Sequence, residues 1–381
     1  MNILRRLPLS RLLLLCGLVV AIGVSATALA SALDAGPTPP PKPLAQAIHD
    51  ALGAQAVAGV SANITLTDHL LEGASLATGD GHGGGSTPAG ELSTSPLVTG
   101  GSGRLWIAKG GDVRLELQSQ EGDTEVVYDG HTLTLYDAAT NTVYRYTPPA
   151  GEGGASSSAP DSSQHEVPSV AKIEEAIAHL SKHADVSGAT PTDVAGQAAY
   201  TVRVSPNEDG SLFGGVELSF DAVHGVPLRA AIYSSTSASP VIELAASEIS
   251  YGPVASSIFD INPPADAKVE EVTTPSSSGT HTADKSAGAG EKPTVTTHGH
   301  GPSTIAVVAS SRDGESKIKQ DARGGGKEPL EGLPKVTING VSASELRTEL
   351  GTLLSFERGG VRYLLAGSVS PAAVEEVARG L

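Results

Sequence analysis

Residues 103–146, GRLWIAKGGDVRLELQSQEGDTEVVYDGHTLTLYDAATNTVYRY, read as about five short strands joined by tight turns. Val113, Leu115 and Leu117 alternate with Asp112, Arg114, Glu116 and Gln118. The breaks are Lys109-Gly110-Gly111, Glu121-Gly122-Asp123, Asp129-Gly130 and Ala139-Thr140-Asn141. Asp129-Gly130 is a favoured central pair for a two-residue hairpin. The stretch predicts an antiparallel meander.

The same period of two extends outward on both sides. Before the meander, Val60, Ala62, Ile64 and Leu66 alternate with Ser61, Asn63, Thr65 and Thr67, after a helix marked by Leu44, Ile48 and Leu52 and ended by Gly53. After it, Val170, Ile173, Ile177 and Leu180 form one stripe of a helix whose other side carries Lys172, Glu174 and Glu175. Strands follow at Tyr200, Val202 and Val204, at Val216, Leu218 and Phe220, at Val226, Leu228, Ala230 and Ile232, and from Ile242 and Leu244. Phe259 to Pro264 closes the domain.

Clean alternation gives each strand one apolar and one wet face, as in a single antiparallel sheet. About eleven strands at roughly 4.8 Å make a sheet on the order of 50 Å wide. Two helices of about 10 Å diameter cover less than half of it. The expected fold is therefore α+β: one curved antiparallel sheet whose concave apolar face keeps a cavity that the two helices only partly cover. The expected cavity residues are Val60, Ala62, Ile64, Leu66, Leu105, Val113, Leu115, Leu117, Val202, Val204, Val216, Leu218, Phe220, Leu228 and Ile232; the lid residues are Leu44, Ile48, Leu52, Val170, Ile173, Ile177 and Leu180.

Two Gly-, Ser-, Thr- and Pro-rich insertions, Glu72 to Pro96 and Pro148 to Pro168, have too little apolar content to order themselves. The expected organisation is a signal peptide or membrane anchor over 1–32, a Pro-rich spacer over 33–43, the half-barrel over 44–270, a low-complexity linker over 271–301 and a small α+β lobe over 302–381. In that lobe Thr304 to Ala309 reads as a strand and Arg312 to Glu331 as a loop. Ser342 to Glu345 has capping-box spacing for a helix through Leu346 and Leu350. Leu353 to Phe356 and Val361 to Leu365 form a hairpin about Gly359-Gly360, and Ser370-Pro371 opens a last helix.

The N-terminus has Arg5, Arg6 and Arg11, an apolar run from Leu12 to about Ala26, and Ala28-Leu29-Ala30 as a small-x-small cleavage site. Export is expected. The run is long enough that an uncleaved anchor in the cytoplasmic membrane is the alternative. Cleavage at Ala30 leaves 22 basic against 42 acidic side chains, a net charge of −20, and removes Cys16. Such a chain repels phosphate, so nucleic acid is excluded as a partner. Aromatic residues are only 3%, so an interior is lined by aliphatic side chains rather than by rings that stack on bases or sugars.

The dinucleotide spelling at Gly79-Asp80-Gly81-His82-Gly83-Gly84 follows no strand and opens no helix. Glu175, His179 and His183 share helical spacing but read as a solvated face. No His-Glu-x-x-His or Gly-x-Ser-x-Gly occurs. The expectation is a non-enzyme with no cofactor and no metal.

The order of elements over Leu44 to Val269 resembles the LolA lipoprotein-carrier family and its MucB/RseB relatives. The pieces are a helix, a long strand, Gly-Arg-Leu-Trp-Ile, Tyr-Asp-Gly, a central helix, Phe220-Asp221 before Gly225-Val226-Pro227-Leu228-Arg229, and Phe259 to Pro264. The resemblance implies an extracytoplasmic half-barrel, an incomplete antiparallel β-barrel with the helices as a lid, that holds acyl chains of lipid or lipoprotein. It also implies a lid latch at the position of Lys109, where the carriers have Arg; Lys lacks the planar multi-donor fork. The second lobe resembles that of the MucB/RseB kind, which implies the alternative of a regulator binding a membrane-bound anti-sigma factor. A structural envelope module is the third reading.

Overall fold

A computed structural model describes residues 36–71, 95–120, 122–148, 167–272, 294–311 and 333–381. The export segment, Gly79 to Gly84, most of both insertions, most of the linker and 312–332 lie outside the described residues.

The first lobe is one curved, unclosed sheet of thirteen strands. They are β1 (Gly59–Asp68), β2 (Gly101–Ala108), β3 (Val113–Gln118), β4 (Asp123–Tyr128), β5 (Leu133–Asp137), β6 (Thr142–Tyr146), β7 (Ala184–Val186), β8 (Thr190–Val194), β9 (Gln197–Pro206), β10 (Phe213–Asp221), β11 (Pro227–Ser234), β12 (Pro240–Tyr251) and β13 (Lys268–Val272). The order across the sheet is β13-β6-β5-β4-β3-β2-β1-β12-β11-β10-β9-β7, with β8 also paired to β9. The expected meander is β2 to β6. Its Asp129-Gly130 turn is shifted by one residue: the Asp129 amide donates to the Thr132 carbonyl at 3.3 Å, so Gly130-His131 is the central pair. Gly130 has φ +86°. Asp129 stands before it, and its carboxylate accepts from the amides of His131 and Thr132 at 2.9 and 2.7 Å.

The sheet departs from the sequence reading in three places. First, β13 lies parallel to β6, so the sheet is not purely antiparallel. The chain between β12 and β13 crosses the convex face, where Arg114 Nη1 donates to the carbonyls of Ile258 and Asp260 at 2.6 and 3.4 Å. Second, that face is not wet throughout. Val127, Thr134 and Val143 are buried on it. Third, the Pro-rich segment, from Gly36 onward, is no free spacer. Pro39 is buried, the Tyr200 hydroxyl donates to the Pro40 carbonyl at 2.6 Å, Lys42 bridges to Ala189, and Gly36 lies against the Asp193 carboxylate. Proline has no amide donor to satisfy, so such a strap packs on a sheet without orphaning backbone groups.

Among the described residues four helices accompany the sheets: α1 (Leu44–Leu52), α2 (Pro96–Thr99), α3 (Val170–Leu180) and α4 (Pro371–Arg379). The second lobe is a six-stranded sheet, in the order β14-β15-β19-β18-β17-β16, of β14 (Thr294–His298), β15 (Ile305–Ser311), β16 (Lys335–Ile338), β17 (Val341–Thr348), β18 (Gly351–Arg358) and β19 (Val361–Gly367). Helix α4 covers one face, around Leu354, Leu365, Val374 and Ala378. The expected helix at Ser342 is strand β17. Asn339-Gly340, with φ of +49° and +82°, turns β16 into it, and Ala343 and Glu345 alternate inward against Phe356 and Leu354. Strand β14 falls inside the expected linker.

The lobes meet through hydrogen bonds to backbone carbonyls. The Leu212 amide donates to the Ser368 carbonyl at 2.7 Å, and the Ser303 hydroxyl to the Asp209 carbonyl at 3.0 Å.

Candidate functional site

Directly opposed residues of paired strands project from the same face, so the register decides which side chains meet. Leu66, Leu244, Ala230, Leu218 and Val202 form one row across five strands. Ala62, Leu105 and Leu115 form another, as do Val204, Val216 and Ile232. Leu117 lies beside Ile64 through Gly103, Val113 beside Val60 through Ile107, and Phe220 opposite Tyr200. With Leu228 by alternation on β11, all fifteen residues expected to line the cavity share this one face.

Helices cover two parts of it. Leu44, Ala47 and Ala51 of α1 pack on Tyr200, Phe220 and Val202. Leu97 of α2 packs on Ala62, Ile64 and Leu117. Between these covers the floor is open: Val216, Leu218 and Leu244 are 40%, 42% and 37% exposed. These residues, with Ala230 between Leu218 and Leu244, form one apolar patch open to solvent on the sheet face. The charged residues that the register places on this face stand at its margins: Asp68 and Asp137 at strand ends, Asp193 on the outlying β8, and Lys268 and Glu270 on the edge strand β13. Burial raises the Asp68 carboxyl above its ordinary range, against the lowering effect of the Leu70 amide.

The expected lid is only partly a lid. Helix α3 packs on α1 and β7, with Ile173 buried, Val170, Ile177 and Ile48 half-buried, and Leu180 and Leu52 exposed. Lys109 is exposed in the β2–β3 turn, where no described side chain bonds to it. The sequence reading missed Leu97. Its signal was Ser95-Pro96, an N-cap with Pro at the first helical position; the Ser95 hydroxyl accepts from the Leu97 amide at 3.4 Å.

Charge collects on the opposite face. Arg229 bonds Glu217, Glu243 and the Tyr233 hydroxyl. Burial works against its charge, yet those bonds outweigh it and raise its pKa. Arg114 pairs with Glu116 and Glu125 at 2.7 and 3.1 Å. The His179 ring, in the last turn of α3, and the His183 ring, in the turn after it, stand 6.4 Å apart, and no group of three potential metal ligands converges among the described residues. No helix among them is long and apolar enough to cross a membrane.

The family described as "Predicted periplasmic protein (DUF2092)" matches residues 91–188. No curated protein matches. Among solved structures, Pseudomonas aeruginosa MucB in complex with MucA is 15% identical, over 87% of this chain and 95% of that one, with a TM-score of 0.40. An uncharacterized conserved protein from Thermus thermophilus is 11% identical, over 60% and 99%, with a TM-score of 0.35. A LolA superfamily protein from Nitrosomonas europaea is 8% identical, over 58% and 98%, with a TM-score of 0.21. The family description, of a predicted periplasmic protein, agrees with the extracytoplasmic location expected from the N-terminal sequence.

Proposed function

We propose that this chain is an extracytoplasmic binding protein that holds acyl chains of lipid or lipoprotein on the concave face of its first lobe. The observation that carries the reading is the open aliphatic floor at Val216, Leu218 and Leu244, continuous with the rows that α1 and α2 cover. At roughly 0.8 kcal/mol per methylene, a sixteen-carbon chain gains about 12 kcal/mol on leaving water. A bilayer offers nearly the same, so transfer between membrane and floor is a small difference that a carrier can reverse. Delipidated protein is titrated with a fluorescent sixteen-carbon fatty acid, and native mass spectrometry reads lipid co-purified from the host. Saturable binding and a co-purified acyl species support the reading; neither being found sinks it.

The second reading is a regulator that binds a membrane-bound anti-sigma factor through its second lobe. What favours it is β14, a sheet-edge strand whose five residues are all exposed and which carries no proline or charge to block pairing with another chain. Pull-down from solubilised envelope with residues 294–381 deleted separates the two. Loss of one membrane protein with fatty-acid binding retained assigns the second lobe to a partner and the first to lipid.

A further inference from the structure

We propose that the convex face of the first lobe carries a second site, for an uncharged sugar ring, built around Trp106. The protein has one tryptophan and 3% aromatic residues in all, and that tryptophan is not spent on the apolar floor. It lies on the opposite face, half-buried, on β2. Ser61 of β1 is paired with both Trp106 and Ser250 of β12, and Asn63 with both Arg104 and Glu248. With Ala62 and Ile249, these six residues line a cleft of about 260 Å³. That lies just under the roughly 300 Å³ at which ligand pockets begin, so the cleft takes no more than a single ring.

The cleft exists because of three local features. Ser61 and Ser250 are too small to fill the space beside the indole. A bulge in β12 opposite Asn63 and Ile64 breaks the register there and re-aims Glu248. On its far side the indole is backed by the Arg114 guanidinium, 6.0 Å from the ring centre, and Arg114 is itself held by Glu116, Glu125 and the Ile258 carbonyl.

The polar groups decide the ligand class. Asn63 Nδ2 donates to Glu248 Oε2 at 2.8 Å, leaving Asn63 Oδ1 and Glu248 Oε1 as acceptors. The Ser250 hydroxyl donates to the Ser61 carbonyl at 3.3 Å, and no described group bonds the Arg104 side chain. One cation and one anion at opposite ends leave the cleft neutral overall, which disfavours phosphate and ammonium alike. A flat apolar wall beside fixed donors and acceptors matches a pyranose, whose ring has an apolar C–H face and a rim of hydroxyls that both donate and accept.

Trp106 reports directly on this site, because the chain has no other tryptophan. Its fluorescence is titrated with maltotriose, cellotriose and chitotriose, and with an alkyl glucoside below its micelle concentration. At least one sugar shifts the emission saturably in the millimolar range. Asn63→Leu keeps the fluorophore and a surface position, and it weakens that sugar about tenfold, as expected when one paired hydrogen-bonding group is lost. Binding of the alkyl glucoside no tighter than the trisaccharide assigns a free or wall-borne glycan; tighter binding assigns a glycolipid headgroup. The proposal is overturned if none of the sugars gives a saturable shift, or if Asn63→Leu titrates like the wild type.

Discussion

Leu218 and Ser219 are consecutive on β10, yet the leucine is 42% exposed and the serine 1%. The serine is satisfied, with its hydroxyl 2.7 Å from that of Thr201. A strand on an ordinary soluble sheet has the opposite exposure, since burying an apolar side chain gains free energy and burying a hydroxyl costs it. The inversion leaves apolar surface available on the concave side while the convex side is knit by polar bonds.

Leu218→Glu is therefore expected to abolish fatty-acid uptake while changing stability by under about 1 kcal/mol, because the site is open to water. Leu117→Ala, on the same face but 1% exposed, is expected to cost about 2–5 kcal/mol through the cavity it leaves. Urea unfolding beside the uptake titration checks both. Loss of uptake in neither variant removes the concave face from the function.

Arg229→Ala strands Glu217 and Glu243, each mostly covered, and is expected to cost about 1–3 kcal/mol with lipid uptake retained. A variant as stable as the wild type shows that the cluster contributes nothing net.

Acid sensitivity is expected to centre on Asp221. Burial alone raises that carboxyl, but hydrogen bonds from the Tyr251 hydroxyl at 2.7 Å and from the amides of His224 and Val223 outweigh it and hold the carboxyl below its ordinary range. His224 Nδ1 stands 3.3 Å from the same carboxylate. A lowered native pKa contributes stability that is complete above the unfolded value, about 3.9, and fades as pH falls through the native value. Unfolding midpoints measured from pH 7 down to pH 2 should drop at the acid end, and Asp221→Asn should drop less. Equal slopes in the two proteins would falsify the assignment.

Tyr200→Phe removes the bond to the Pro40 carbonyl and is expected to cost about 1 kcal/mol. Limited proteolysis should then cut residues 36–43 faster than in the wild type. Unchanged cleavage means the strap is held by its other contacts, at Pro39, Lys42 and Gly36.

Lys109→Ala is expected to leave uptake and release of fatty acid unchanged, since the side chain is exposed and unbonded by described groups. Slower or faster release in stopped-flow measurement restores it as a latch.

The meander, the long first strand and the later strands were legible because period-two alternation between aliphatic and polar residues records a face directly, as at Val113 to Gln118. Strand β7, with three residues, is too short to show a period, and β8 (TPTDV) and β13 (KVEEV) carry too few aliphatic residues to show one. The parallel placement of β13 depends on a crossing of the convex face that only tertiary structure contains. Ser342 to Glu345 misled because a capping box and an inward-alternating strand can share one spelling; Asn339-Gly340 just before it carried the stronger hairpin signal. The candidate floor was legible to the extent that alternation assigns faces, whereas its covers were not. Leu97 belongs to a single helical turn beside a low-complexity insertion, and α3 turned out to lie on α1 rather than on the floor. The Trp106 cleft was invisible in sequence because its six residues come from three strands whose register is set at long range.

Strand β1 is paired on one side with β2 and on the other with β12, and Asn63 meets Glu248 across 185 positions of chain. Joining points so far apart costs about 4–5 kcal/mol of chain entropy before any contact is gained, and topologies of this kind fold slowly. During synthesis and export the N-terminal half can form its meander on β1 while the other edge of that strand stays bare until Tyr251 arrives. A polypeptide cut short of β12 therefore ends with an unprotected strand edge in the middle of what should be a continuous sheet, and it should aggregate rather than persist as a smaller domain.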